Sequence, residues 1–404
     1  MKATGLIVEY NPFHNGHYFH AQSSREKTNA DILIAVMSGA FLQRGEPALL
    51  PKWERAKMAI LGGVDIVIEL PTLFAVQSSH NFARGSVGIL NALGVKSICF
   101  GSEHGEVQDF TEHIKLEKEF QHSIDCKVKD FLQEGHSFPK AYDLALESVS
   151  TENHLQMLDI RQPNNRLGLA YIEAIQKINP LIKAETIKRK HANYHDEELE
   201  HSFIASATAI RKAILNDSRE WSQYVPPSSY SEITAYVENE KPLMTWESLY
   251  PIVRSKLITT PIPVLSTIYG MEEGLESRLQ HAAIHAVHFP HFMELVKTKR
   301  YTWNRIQRTL VYLLLHIDKQ EANHHLSKLP TYARLLAASS NGRRYIKENK
   351  ESFTLPILST FSQGKESLLQ IDQRAAYAYS LGYLSTMQVA EGAREFKQIP
   401  FIQK

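Results

Sequence analysis

The 404-residue sequence contains only two cysteines, Cys99 and Cys126. Two cannot supply a disulfide framework or a four-cysteine metal site, and they point to a reducing compartment, the cytoplasm. Charge of one sign is also lacking: 45 basic side chains face 44 acidic ones, a formal +1. That balance excludes a uniformly basic nucleic-acid coat and an acidic disordered tail. No apolar run approaches the ~18 residues that cross a bilayer; the longest, Leu310 to Ile317, is broken by His316. Met1-Lys2-Ala3-Thr4 enters a strand-like run at once, without the small-residue cleavage site of a signal peptide. Internal repeats and low-complexity tracts are absent as well. The expectation is a soluble, cytoplasmic protein with no membrane association and, at roughly 150 residues each, two or three domains.

What is present alternates. Gly5 to Glu9, Asp31 to Met37, Asp65 to Leu70 and Val95 to Phe100 are short apolar runs closed by turn residues. Gly16 to Lys27, Lys52 to Leu61 and Ser79 to Leu93 lie between them with helical spacing. Continuous apolar strands separated by helices predict βαβ units and a Rossmann-like, doubly wound parallel sheet. Right-handed crossovers then bring the turns after Glu9, Met37, Leu70 and Phe100 to one edge, where open α/β sheets bind ligands. Asn216 to Tyr230, with Pro226-Pro227-Ser228-Ser229, reads as a linker. Downstream the spacing predicts helices over Thr245 to Leu257, Glu276 to His288, Trp303 to Ile317, Thr331 to Ala338 and Gln373 to Leu381. The division expected is an α/β catalytic domain over 1–220 and a mainly α-helical domain over 221–404.

The first strand runs into Glu9-Tyr10-Asn11-Pro12-Phe13-His14-Asn15-Gly16-His17 at the mouth of a helix. In a chain of this composition a chance His-x-Gly-His is expected about 0.04 times, before any strand-turn-helix context is required. The residue types suit phosphate chemistry. Gly16 lets backbone approach a nucleotide, and the helix N-terminus offers free N–H groups to an anion. His14 and His17 can donate hydrogen bonds to phosphate oxygens whose charge rises in the transition state. The competing reading is two surface histidines in a capping turn. Further on, Ser206 and Thr208 suit an N-cap or a phosphate contact, and Arg211 lies one turn in.

These residues resemble the His-x-Gly-His nucleotidyltransferase superfamily, which cleaves ATP between its α- and β-phosphates. A narrower resemblance joins the first motif to Met37-Ser38-Gly39, Gln43-Arg44-Gly45-Glu46-Pro47, Ile68-Glu69-Leu70-Pro71 and Phe100-Gly101-Ser102-Glu103. Gln162-Pro163-Asn164-Asn165, Leu167-Gly168, Ile187-Lys188-Arg189 and Tyr194-His195-Asp196 continue it in order. Together they are similar to the tRNA(Met) cytidine acetate ligases over about half the chain. Two positions depart from that pattern: Ala40 stands where Asn is expected, and Arg166 replaces an apolar residue. The resemblance implies activation of acetate by ATP and acetylation of the wobble cytidine of elongator tRNA(Met). It places the ATP site on Ile7, Val8, Glu9, Tyr10, Asn11, Pro12, Phe13, His14, Asn15, Gly16, His17, Tyr18, Phe19 and His20, with Gly101, Asn164 and Arg189. Ser206 and Arg211 would complete it, His14 and His17 would be catalytic, and Mg²⁺ would accompany the nucleotide.

The near-zero total charge hides two unlike halves. Residues 1–220 carry 24 basic and 28 acidic side chains, whereas 221–404 carry 21 and 16. Residues 291–350 alone carry 12 against 4, and there Lys297, Lys299, Arg300, Arg305 and Arg308 interleave with Tyr301 and Trp303. Cations beside aromatic faces suit an RNA backbone and an unstacked base; the alternative is a solvated helix face. His281, His285, His288 and His291 have helical spacing but no adjoining carboxylate or cysteine, and no metal site is assigned. No protein partner is inferable. A second enzyme reading stays open, a nucleotidyltransferase joining a nucleotide to a small phosphorylated metabolite, as does a non-catalytic RNA- or nucleotide-binding module.

Overall fold

A computed structural model describes residues 1–155, 157–189, 203–364 and 366–403; the Tyr194-His195-Asp196 motif lies outside the described residues. Five parallel strands form the heart of the sheet: β1 (Ala3–Val8), β2 (Ile32–Ser38), β3 (Ile66–Leu70), β4 (Ser97–Ser102) and β5 (Lys183–Lys188). Their order is β5-β4-β1-β2-β3. All seven residues of β2 are buried, as expected of a parallel strand covered on both faces. Each apolar side chain withdrawn from water there contributes about 1.5–3 kcal/mol. The connections are helices, among them Asn15–Thr28, Lys52–Leu61, Ser79–Ala92 and Pro163–Ile178. Strand order reverses between β1 and β4, and open α/β sheets bind ligands at the carboxyl ends of the strands beside such a switch point.

The chain beyond residue 220 is mainly helical but also extends this sheet. β6 (Ala333–Ala338) pairs antiparallel with β3, and β7 (Ile357–Leu358) and β8 (Phe401–Ile402) pair with β6. The helix expected over Thr331 to Ala338 is therefore a strand. Its six residues are all buried, and so short an apolar run fits either period. The linker expected over Asn216 to Tyr230 is also structured. A 3₁₀ turn covers Arg219–Tyr224, and a helix covers Pro227–Glu238 with Pro227 in its first turn. Proline is at home there because the first helical N–H has no partner to lose. The helix expected to run on to His288 ends at His285, and His288 caps the next one, accepting from the His291 N–H at 3.2 Å.

Candidate active site

The turn after β1 is built around buried aromatics and one imidazole used as a cap. Tyr10 takes a left-handed backbone (φ 49°), the Asn11-Pro12 bond is cis, and Tyr10, Asn11 and Phe13 are buried. The Tyr10 ring meets Phe13 and His17 edge-on at centroid distances of 4.8 and 4.9 Å. His14 is the N-cap of helix Asn15–Thr28. Its Nδ1 accepts the Gly16 N–H at 3.0 Å, and its own N–H donates to His17 Nδ1 at 3.3 Å. The pair is therefore a capping box made of two histidines, His14 buried and His17 half-buried. Because each Nδ1 accepts, each ring carries its proton on Nε2. Gly16 is required for this: a Cβ would lie 2.8 Å from His14 Cε1.

Burial dominates the electrostatics. It pushes the His14 imidazole down to about 3, helped by the charges of Arg189 and Arg211. His17 is held well below the usual histidine range by burial, then by His14, His20 and Arg189. His20 falls to about 4 for the same first reason, and its buried Nε2 has no hydrogen-bond partner among the described residues. At neutral pH all three rings are uncharged, so His14 and His17 act as Nε2–H donors.

The other predicted residues converge from later elements. Gly101 lies on β4 against Ile187 of β5, with Arg189 Cγ 3.7 Å from where its Cβ would be. The exposed Arg189 leaves β5 with its N–H on the Ser102 carbonyl at 2.9 Å. Ser206 caps helix Ala207–Leu215, accepting from the Ala209 N–H at 3.0 Å. Arg211 reaches back to the first turn, donating to the Asn11 carbonyl at 3.2 Å and lying 3.6 Å from Glu46. Asn15 fastens the same region, its Nδ2 donating at 2.9 Å to the carbonyls of Phe203 and Gln223. Ile7 and Val8 end β1, whereas Tyr18 is 46% exposed one turn into the helix, beside half-buried Phe19. Asn164 is tied down: its Nδ2 donates to Glu103 Oε1 at 2.6 Å.

Two sets of contacts that hold the site together are not foreseen from sequence, although Glu103 and Asn165 stand in the motifs quoted above. Glu103 accepts the Asn165 N–H at 2.9 Å, while Asn165 Oδ1 accepts the Glu103 and His104 N–H groups at 3.2 Å, a reciprocal clamp at the helix start. Arg55, fully buried, donates to the carbonyls of Leu50 at 2.9 Å, Glu9 at 2.6 Å and Ser38 at 3.1 Å, and also to Gly39. It thereby locks the turns after β1 and β2 together. Arg166, the departure noted above, pairs with Asp143 and donates to the Ile160 carbonyl at 3.1 Å.

The basic window is only partly free. Arg308 is a packing residue, donating to the Gln77 carbonyl at 3.0 Å, with burial lowering its pKa. Arg305 lies 3.2 Å from Glu272 and stacks on Tyr301, which is itself buried. Lys297, Lys299 and Arg300 are exposed, as is Trp303 at 39%. The loop Phe41–Pro47 joins this region to the crevice. Glu9 Oε1 accepts the Gln43 N–H at 2.8 Å, and Gly45 (φ 84°) lies so close to the Gln307–Arg308 backbone that a Cβ would come within 2.5 Å.

Neutral imidazole donors at a helix N-terminus, set where the order of a parallel sheet reverses, make this a nucleotidyltransferase-like α/β protein. A family profile described as HIGH Nucleotidyl Transferase matches residues 1–394. The tRNA(Met) cytidine acetate ligase of Anoxybacillus flavithermus is 44% identical over 384 residues, 94% of each chain. That of a Geobacillus species is 41% identical over the full length of both. Crystal structures of Thermotoga maritima TmcAL superpose over all of both chains, the apo form at TM-score 0.92 and 32% identity. The form bound with alpha-thio ATP does so at 0.89 and 31%. The chain belongs to the tRNA(Met) cytidine acetate ligases, a family of enzymes within the HIGH nucleotidyl transferases. No helix among the described residues is long and apolar enough to cross a membrane.

Proposed function

We propose that this chain is an ATP-dependent, cytoplasmic ligase that acetylates N4 of the wobble cytidine of elongator tRNA(Met) through acetyl-adenylate. One observation carries the reading: His14 and His17 present neutral Nε2–H donors at a helix N-terminus in the crevice between β1 and β4. The triphosphate would lie across the Asn15–Thr28 N-terminus, with Gly101 giving the nucleotide close approach and Arg189 and Arg211 facing its charge. Acetate is already ionised at neutral pH, so its attack on the α-phosphorus needs no general base. Positioning and stabilisation of charge on the phosphoryl oxygens suffice, and pyrophosphate leaves. N4 of cytidine then attacks the mixed anhydride and AMP leaves.

Mg²⁺ would supply charge neutralisation on the phosphates. Among the described residues no group of three His, Cys, Asp or Glu side chains could hold a metal ion, so the ion would arrive with the nucleotide. We assign the ATP chemistry to residues 1–220 and tRNA contact to 221–404, with Lys297, Lys299 and Arg300 on the open face and Arg305 and Arg308 supporting it from behind. Nucleoside analysis of bulk tRNA after incubation with ATP and acetate tests the reading: N4-acetylcytidine should form only when both are present. Acetate-dependent exchange of labelled pyrophosphate into ATP tests the first half-reaction. Exchange that required a phosphorylated metabolite instead of acetate would refute it. Replacing both Lys299 and Arg300 by Glu should weaken tRNA binding at least tenfold and leave exchange unaltered.

A further inference from the structure

Acetyl transfer to an amine releases a proton, and the turn that would bind ATP holds one carboxylate, Glu9, to which no chemical step has been given. Glu9 lies half-buried just past β1, between the histidine turn and the loop that meets the basic helix Trp303–Leu315. Its Oε1 is engaged by the Gln43 N–H at 2.8 Å, while no hydrogen bond engages Oε2 among the described residues. Around it stand Arg211, which also faces His14, and Arg44 and Glu46; Glu46 lies 3.6 Å from Arg211, on the loop whose Gly45 packs against Arg308. An RNA held on the basic face and an adenylate held on the histidine turn would therefore meet at this carboxylate. Given the function proposed above, we infer that Glu9 Oε2 is the proton acceptor for attack by cytidine N4.

The step balances. The N4–carbonyl carbon bond forms, the bond from that carbon to the adenylate oxygen breaks with its electron pair leaving on AMP, and the N4 proton moves to Glu9. Neutral His14 and His17 are poorer acceptors, because the burial that keeps them uncharged also disfavours the imidazolium they would become. Burial instead raises the Glu9 pKa above the ordinary carboxylate value, with Glu46 adding to the rise and the Gln43 hydrogen bond, Arg44 and Arg211 opposing it. Tyr171 and Arg55 also face this group.

The test is single-turnover transfer from prepared acetyl-adenylate to a tRNA(Met) transcript, run beside acetate-dependent pyrophosphate exchange, for wild type, Glu9→Gln and Glu9→Asp. Glutamine keeps an acceptor for the Gln43 N–H, so the scaffold contact survives. Glu9→Gln should slow transfer by roughly 10²–10⁴-fold, at least tenfold more than it slows exchange. Wild-type transfer should decline at low pH, Glu9→Gln should abolish that decline, and Glu9→Asp should restore part of the rate. Equal losses in both half-reactions, an unchanged transfer rate or an unchanged pH limb would overturn the assignment. A wild type that shows no acetate-dependent exchange would instead refute the function on which it rests.

Discussion

Gly16 sits where the smallest residue change has the largest leverage. A methyl group there would lie 2.8 Å from His14 Cε1 and 3.0 Å from its Nδ1, so the ring must leave its capping position. Losing the cap costs about 1 kcal/mol, and gaining alanine within a helix returns about 0.5–1 kcal/mol. Gly16→Ala should therefore leave the melting temperature within a few degrees while lowering acetate-dependent exchange more than tenfold. A parallel melt and exchange assay separates the two. His20 gives the residue scale a pH signature. Its folded pKa, about 4, lies below the ordinary 6.5, so the unfolded chain takes up a proton that the folded chain refuses. Stability is then lost as pH falls from 6.5 towards 4. His20→Gln removes that linkage, and its melting temperature should decline less than wild type over this window. Glu69, raised to about 7 by burial, works in the opposite direction and is common to both proteins, so the difference between their curves isolates His20.

At the scale of elements, Arg55 shows why a crevice needs more than its lining. One side chain from helix Lys52–Leu61 satisfies four carbonyls, among them Glu9 just past β1, Ser38 at the end of β2 and Gly39 just past it. Arg55→Met would leave those buried oxygens without donors and should destabilise the fold by on the order of 4 kcal/mol, measurable by urea unfolding. From sequence, Arg55 is one cation in an amphipathic helix, and a solvated face is the ordinary reading. Its partners lie up to 46 residues away, a distance that no local pattern encodes. Glu103 and Asn165 stand in quoted motifs, but their pairing is invisible for the same reason, the two being 62 residues apart. What was legible was local: four parallel strands from their apolar runs, the helices between them, and the histidine turn from its composition and its place after β1. β6 was not, because Ala333–Ala338 is too short to betray its period, and its strand character comes from the edge of β3 that it covers.

Across the whole molecule, division of labour and division of fold do not coincide. Lys52, buried at the start of its helix, places Nζ 2.8 and 2.7 Å from the oxygens of Glu69 on the last turn of β3, and 2.7 Å from Glu395 near the C-terminus. Buried Arg334 of β6 stands 3.7 Å from the same Glu395, and Asp372 accepts the Thr72 N–H at 2.7 Å just past β3. The half proposed to meet tRNA thus completes the edge and the charge balance of the half proposed to bind ATP. A fragment of residues 1–220 would expose the edge of β3 and strand Lys52 and Glu69 without Glu395, so it should show no cooperative unfolding transition. A single substitution makes the same argument inside the intact chain. Lys52→Met leaves buried Glu69 without its cation and Glu395 with Arg334 alone, and should cost about 3–5 kcal/mol. Adding Glu69→Gln should recover part of that loss, since it removes the stranded charge, whereas adding Glu395→Gln should not, since it takes the carboxylate from Arg334. If the double variant Lys52→Met/Glu69→Gln unfolds near the wild-type midpoint, the cluster joins the two halves by shape and hydrogen bonding. If it remains as unstable as Lys52→Met alone, the ion pairs themselves hold the C-terminal helix Ser385–Lys397 to the catalytic sheet.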